Sequence, residues 1–177
     1  MTVGIESARM LQKASKTALM LVAALLCSCG DVLFHEFRSV EGRTWSRDNV
    51  LSFCYDGAFD TGDSTGYLLS VEARTDASYS YKNLVVRVET FDGEGGELLS
   101  TDTFCCSVYA DDGRREGSTA GVLYQVGSDE AFIAKGTCDT VVMRLSHIME
   151  PEELCGVSDV GVRLCSSARG QHQSSGK

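Results

Sequence analysis

The chain has 177 residues, with 16 Lys and Arg against 25 Asp and Glu and a formal charge of −9. An acidic chain without basic clusters is unsuited to nucleic acid and to electrostatic docking on anionic lipid. One proline and 18 glycines suit strands joined by tight turns, and eight cysteines fit an exported protein.

Arg9, Lys13 and Lys16 precede an apolar run from Ala18 to Leu26. This is the n-region and h-region order of a secretory signal. The run is too short to cross a bilayer as a helix, which takes about 20 apolar residues. Leu26-Cys27-Ser28-Cys29 has the form of a bacterial lipobox: an aliphatic residue, two small ones, then the cysteine that accepts a diacylglycerol thioether. Cys27 is the poorer acceptor because bulky Leu26 directly precedes it. The expected mature chain starts at lipidated Cys29, with residues 1–28 removed as a lipoprotein signal peptide. Two or three acyl chains, at about 0.8 kcal/mol per buried methylene, hold on the order of 20 kcal/mol. Ordinary cleavage and release is the alternative. Removing residues 1–28 takes away three cations and Glu6, leaving 149 residues with 13 cations against 24 anions, a net −11. That length suits one domain with its own core.

Residues 29–48 lack a clean period. Phe34, Phe37, Val40 and Trp45 read as aromatic and aliphatic anchors of an irregular arm. From residue 49 the pattern becomes alternation, which marks half-buried strands. Leu51, Phe53 and Tyr55 face one way, opposite Ser52, Cys54 and Asp56. Leu69, Val71 and Ala73 alternate with Ser70, Glu72 and Arg74, and Leu84, Val86 and Val88 with Val85, Arg87 and Glu89. Phe91-Asp92-Gly93-Glu94-Gly95-Gly96-Glu97-Leu98 reads as a hairpin loop into a strand over 98–109. Asp111-Asp112-Gly113 makes a turn, and a weaker strand covers 120–126. Val141, Met143 and Leu145 share a face, as do Val160, Val162 and Leu164. Pro151-Glu152-Glu153-Leu154 is expected to form one helical turn. The expected fold is all-β: an antiparallel β-sandwich of jelly-roll or immunoglobulin-like type over 49–165, with a closed barrel as the alternative. Residues 166–177 read as a frayed polar tail.

Six cysteines follow Cys29. Cys54, Cys138 and Cys165 share the polar parity of their strands, so a disulfide among them would lie on an outer face. Cys105 and Cys106 should point to opposite faces. Burial of several as small hydrophobes is the alternative. No zinc spacing is present, and no metal or other cofactor is expected. His35, His147 and His172 are scattered, and no Gly-x-Ser-x-Gly elbow appears, so no catalytic residue and no small-molecule substrate is assigned. Asp56, Asp60 and Asp63 share one loop that could hold calcium, though acidic loops are usually just solvated. Tyr79 and Tyr81, with Trp45, could form a sugar platform; partly packed turn residues are the plainer reading.

The lipobox, Phe34-His35-Glu36-Phe37, Trp45, Val50-Leu51-Ser52-Phe53, Asn83 to Glu89, Arg144 to Met149, and Leu154-Cys155-Gly156-Val157-Ser158-Asp159-Val160-Gly161-Val162-Arg163-Leu164 together resemble the gliding motility lipoprotein H (GldH) family of Bacteroidetes. The last run is the most specific. The resemblance implies an outer-membrane lipoprotein, not an enzyme. It would support gliding machinery and the associated secretion apparatus by contacts with other envelope proteins. Gly30-Asp31-Val32 is not an acidic surface-export run, so the periplasmic face is expected. Asp159, Val160, Gly161, Val162, Arg163 and Leu164 are the expected partner surface, acting by strand-edge pairing. A glycan-binding surface module is the alternative function.

Overall fold

The computed structural model describes residues 32–57, 66–134 and 140–167. Among these, twelve strands and one short 3-10 turn, Glu41–Arg43, are present. In chain order the strands are β1 (Val32–Ser39), β2 (Thr44–Ser46), β3 (Leu51–Asp56), β4 (Gly66–Thr75), β5 (Asn83–Asp92) and β6 (Leu98–Ser107). They continue with β7 (Ser118–Ala120), β8 (Leu123–Gly127), β9 (Ala131–Ala134), β10 (Thr140–His147), β11 (Glu153–Cys155) and β12 (Val157–Ser166). All pairings are antiparallel. One sheet has the order β1-β12-β4-β8-β7, with β9 also on β4; a second has the order β3-β10-β5-β6; β11 and β2 form a two-stranded ribbon. Neither large sheet closes on itself, so the fold is a sandwich and not a barrel.

The alternation predicts the core well. Phe53, Leu69, Val71, Ala73, Leu84, Val86, Val88, Met143, Leu145, Val160, Val162 and Leu164 are all fully buried. They come from both sheets and join one apolar cluster with Trp45, Tyr79 and Leu154. The β5–β6 hairpin closes as its glycines predict. Gly93 and Gly95 take φ of 81° and 74°, and the Asp92 amide donates to the Glu97 carbonyl at 2.9 Å.

Three local expectations are corrected. The segment read as irregular contains β1, which pairs with β12 from Val32↔Cys165 to Ser39↔Asp159. Its period is hidden because aromatics cover both faces. Phe34 packs edge-on against Tyr55 at 5.7 Å, while Phe37 lies across Gly161 on the opposite side, and a bulge interrupts the register between Val32 and Phe34. The stretch 120–126 is the turn and second strand of the β7–β8 hairpin. The stretch 151–154 is not helical; it leads into β11, where Leu154 pairs opposite Trp45 and both are fully buried.

Candidate functional site

Strand register sorts the connections to two ends of the sandwich. At one end lie the start of β1, the end of β12 (Ser166↔Tyr67), the end of β3 (Thr140↔Asp56) and the β5–β6 hairpin (Phe91↔Leu98). The sheets are aligned there by Phe34 against Tyr55, and further up by the Arg38 guanidinium 5.6 Å over the Phe53 ring. The far end gathers the connections 40–50, 76–82, 108–117 and 148–156.

Two arginines organise the far end. Arg115 donates from Nε to the Tyr109 hydroxyl (3.0 Å), from Nη1 to Thr75 Oγ1 (3.3 Å), and from Nη2 to the carbonyls of Asp76 and Tyr79. Its guanidinium also stacks 4.3 Å from the Tyr124 ring and 4.8 Å from Tyr109. Tyr109 in turn donates to the Tyr79 carbonyl at 3.0 Å. One planar fork thus ties the 108–117 connection to the 76–82 connection and to β4 and β8, which a lysine could not do. Arg47 Nη2 reaches three successive carbonyls, those of Met149 (2.6 Å), Glu150 (2.7 Å) and Pro151 (3.3 Å), and the Arg47 amide donates to Glu152. Neither residue is marked in the sequence. Asp111-Asp112-Gly113, just before Arg115, reads only as a turn, and the carbonyls these arginines meet are brought to them by tertiary structure.

Trp45 and His147 fill the space beneath Arg47. Trp45 Nε1 donates to the Asn49 carbonyl (2.9 Å), and its ring meets His147 edge-to-face at 5.3 Å. His147 Nε2 lies 3.2 Å from the Glu152 carbonyl. Burial is the main cause that pulls the His147 pKa below its ordinary 6.5, and the Arg47 cation adds to it. The fold therefore holds the ring neutral, while the unfolded chain takes a proton near pH 6.5. The stabilising difference is complete above that pH and is lost as pH falls below it. The urea midpoint is expected to fall from pH 7 to pH 5, and His147→Phe is expected to flatten that fall. Unchanged pH dependence in the variant would assign the effect elsewhere.

Beside Arg115 is an open depression of about 310 Å³ lined by Ser80, Lys82, Tyr109, Ala110, Asp111 and Gly113. Lys82 pairs with Asp111 across it. That contact holds the lysine pKa up and the aspartate pKa down, but both side chains are more than half exposed, so the pair contributes little. A shallow, half-open hollow does not enclose a small ligand.

The outer face of the six-stranded sheet carries a second network. Arg74 lies 3.8 Å over the Phe37 ring and donates to Gln125 Oε1 (3.0 Å); Gln125 donates to Glu72 Oε2 (2.7 Å); His35 Nε2 lies 3.3 Å from the same oxygen. These are cross-strand pairs that stiffen the sheet.

The sequence-predicted positions fall as follows. Trp45 and Tyr79 are fully buried, and Tyr81 meets Tyr79 edge-to-face at 5.7 Å, so the three do not form a sugar platform. His35 meets the Glu72 carboxylate and the Phe37 ring, and His147 meets the Glu152 backbone carbonyl and the Trp45 ring; these contacts include no serine or cysteine. Asp56 accepts from Thr140 Oγ1 at 2.6 Å. Asp60, Asp63 and Cys138 lie outside the described residues. Among the described residues, no group of three or more His, Cys, Asp or Glu could hold a metal ion. Cys54 is exposed on β3 of the four-stranded sheet, and Cys165 is buried on β12 of the other, so these two are not cross-strand neighbours. Cys105 is exposed and Cys106 buried, as alternation requires; burial pushes the Cys106 thiol up to about 12.

The run Asp159, Val160, Gly161, Val162, Arg163, Leu164 is not an edge. β12 is paired on one side with β1 and on the other with β4, so its backbone groups are already used. Its side chains explain its sequence by packing. Val160, Val162 and Leu164 face the core. Gly161 makes room for the Phe37 ring, which would lie 2.7 Å from an added Cβ. Asp159 accepts from Ser39 (2.7 Å) and Ser158 (2.8 Å).

A family model described as GldH lipoprotein matches residues 32–164, more than half of the chain, from the first residue of β1 into β12. No curated protein and no solved structure matches. Among the described residues, no helix is long and apolar enough to cross a membrane.

Proposed function

The chain belongs to the GldH lipoprotein family, and from that premise we propose that it is a non-enzymatic accessory protein of the cell envelope. It is held by acyl chains on Cys29 at the periplasmic face of the outer membrane. It supports surface machinery by protein contacts: the secretion apparatus, and gliding in species that glide. The observation that carries this reading is the position of β1. The first strand begins at Val32, three residues after Cys29. Three residues span at most about 10 Å. Such a tether does not let the body roam; it holds the sandwich against the leaflet that carries the lipid. A partner must therefore present its surface within one body length of that bilayer, where tethering raises the effective concentration of the contact.

Contact suits the chemistry of the far end. Arg115 donates to the Tyr109 and Thr75 hydroxyls and to the Asp76 and Tyr79 carbonyls, Arg47 Nη2 donates to three backbone carbonyls, and Trp45 and Tyr79 are buried. What these groups provide is a set of fixed loops, a surface for another protein to read. Backbone pairing at β12 is not available, so recognition falls to loops and side chains. The test is deletion of the gene in its own host. Loss of secretion, or of gliding where the host glides, is expected, with restoration by the intact chain and not by Cys29→Ser. A deletion strain with normal secretion, gliding and outer-membrane assembly would remove the proposal.

A further inference from the structure

Building on the reading of Cys29 as the lipid-bearing residue, we propose that the sandwich stands upright on the lipid surface. The end that carries the β5–β6 hairpin faces the headgroups, and the Trp45–Arg115 end points away from them. Chain length and register carry this. Val32 is the first residue of β1 and lies beside Cys165 at the hairpin end. A tether of about 10 Å keeps that point near the headgroups. β1 then runs eight residues away from it, about 25 Å at the rise of an extended strand. The far end cannot be the end that meets the bilayer, because the tether is less than half the length of the strand it would have to span.

Apolar exposure by itself does not choose an end. Val32, Leu98 and Phe132 are 43%, 49% and 56% exposed near the hairpin end, while Val50, Val122 and Ile148 are exposed elsewhere. Charge separates standing from lying. Laying the body on its side would press a charged sheet face onto lipid: His35, Glu72 and Arg74 on one face, Arg87, Glu89 and Arg144 on the other. Removing such groups from water is costly. At the hairpin end Asp56, Asp92, Glu94 and Glu97 are acids without a described basic residue in the 93–97 turn. That end therefore rests at headgroup level and is not drawn further into an anionic surface.

The chain contains one tryptophan, Trp45, at the far end. The acylated protein is placed on phosphatidylcholine vesicles that contain a headgroup-nitroxide phosphatidylcholine, and flotation is measured in the same samples. Trp45 emission is expected to match that on nitroxide-free vesicles. Leu98→Trp, at an exposed position that keeps Trp45 in place, is expected to lose the emission contributed by the added residue. Floating protein with Trp45 quenched as strongly as Trp at position 98 would overturn the upright orientation and leave the anchor standing. Protein that fails to float would overturn the anchor, and the orientation with it.

Discussion

Replacing Cys29 with serine is expected to move the protein from the membrane fraction to the soluble fraction, with its fold unchanged. On the proposed lipidation of Cys29, the effect is large because the acyl chains would supply nearly all the membrane affinity. Two or three of them contribute on the order of 20 kcal/mol, whereas one alone would hold only marginally. Residues 29–177 carry a net −11, the hairpin end is acidic, and no described helix is long and apolar enough to span a bilayer. Cys27→Ser serves as the control, and it should leave fractionation unchanged. Carbonate-washed membranes and a circular dichroism spectrum report the two properties separately. A Cys29→Ser protein that stays with washed membranes would point to a second anchor.

The largest expected effect on stability lies at Gly156, inside the run that most strongly resembles the family. Its φ is +87°, and an added Cβ would sit 2.3 Å from the Tyr79 amide nitrogen and 2.8 Å from its Cα. These are backbone atoms, which cannot swing aside as a side chain could. Gly156 also donates to the Arg43 carbonyl (2.8 Å) and accepts from the Asp76 amide (2.9 Å), so a shift here pulls on two other connections. Gly156→Ala is therefore expected to lose about 3–5 kcal/mol, above the ordinary range of about 0.5–3 kcal/mol for a point substitution, because backbone strain is joined to steric conflict. Gly95→Ala separates the two causes. Gly95 has a similar φ, +74°, but nothing within 4 Å of its added Cβ. It should lose only about 1–2 kcal/mol, the cost of the left-handed conformation alone. Urea titration of both variants gives the comparison. Equal losses would show that the approach of Tyr79 does not matter.

How much of this was legible in the sequence depended on whether one face of an element is dry. β3, β5 and β10 have a buried face and a wet face, so Leu51-Phe53, Leu84-Val86-Val88 and Val141-Met143-Leu145 announce themselves by period. β1 does not, because Phe34 and Phe37 serve opposite faces of the sheet. β11 is three residues long, too short for any period, and its place is set by the partner strand that Trp45 brings to Leu154. Trp45 and Tyr79 illustrate a second limit. An aromatic in a turn-rich stretch looks available to a ligand, and only the packing of two loops over it shows that it is core. Arg47 and Arg115 illustrate a third, since a guanidinium that caps carbonyls leaves no pattern in the chain that carries it. The Leu154 to Leu164 run was legible as family likeness. Its physical meaning, a central strand with Gly161 placed for Phe37 and Gly156 just before it placed for Tyr79, required the neighbouring strands.

The most direct measurement is mass spectrometry of the amino-terminal peptide from protein extracted from its own membranes. A peptide that begins at Cys29 and carries a diacylglycerol thioether on its sulfur is the predicted result. A peptide that begins elsewhere, or a Cys29 without lipid, would contradict the tethered body on which the contact function rests.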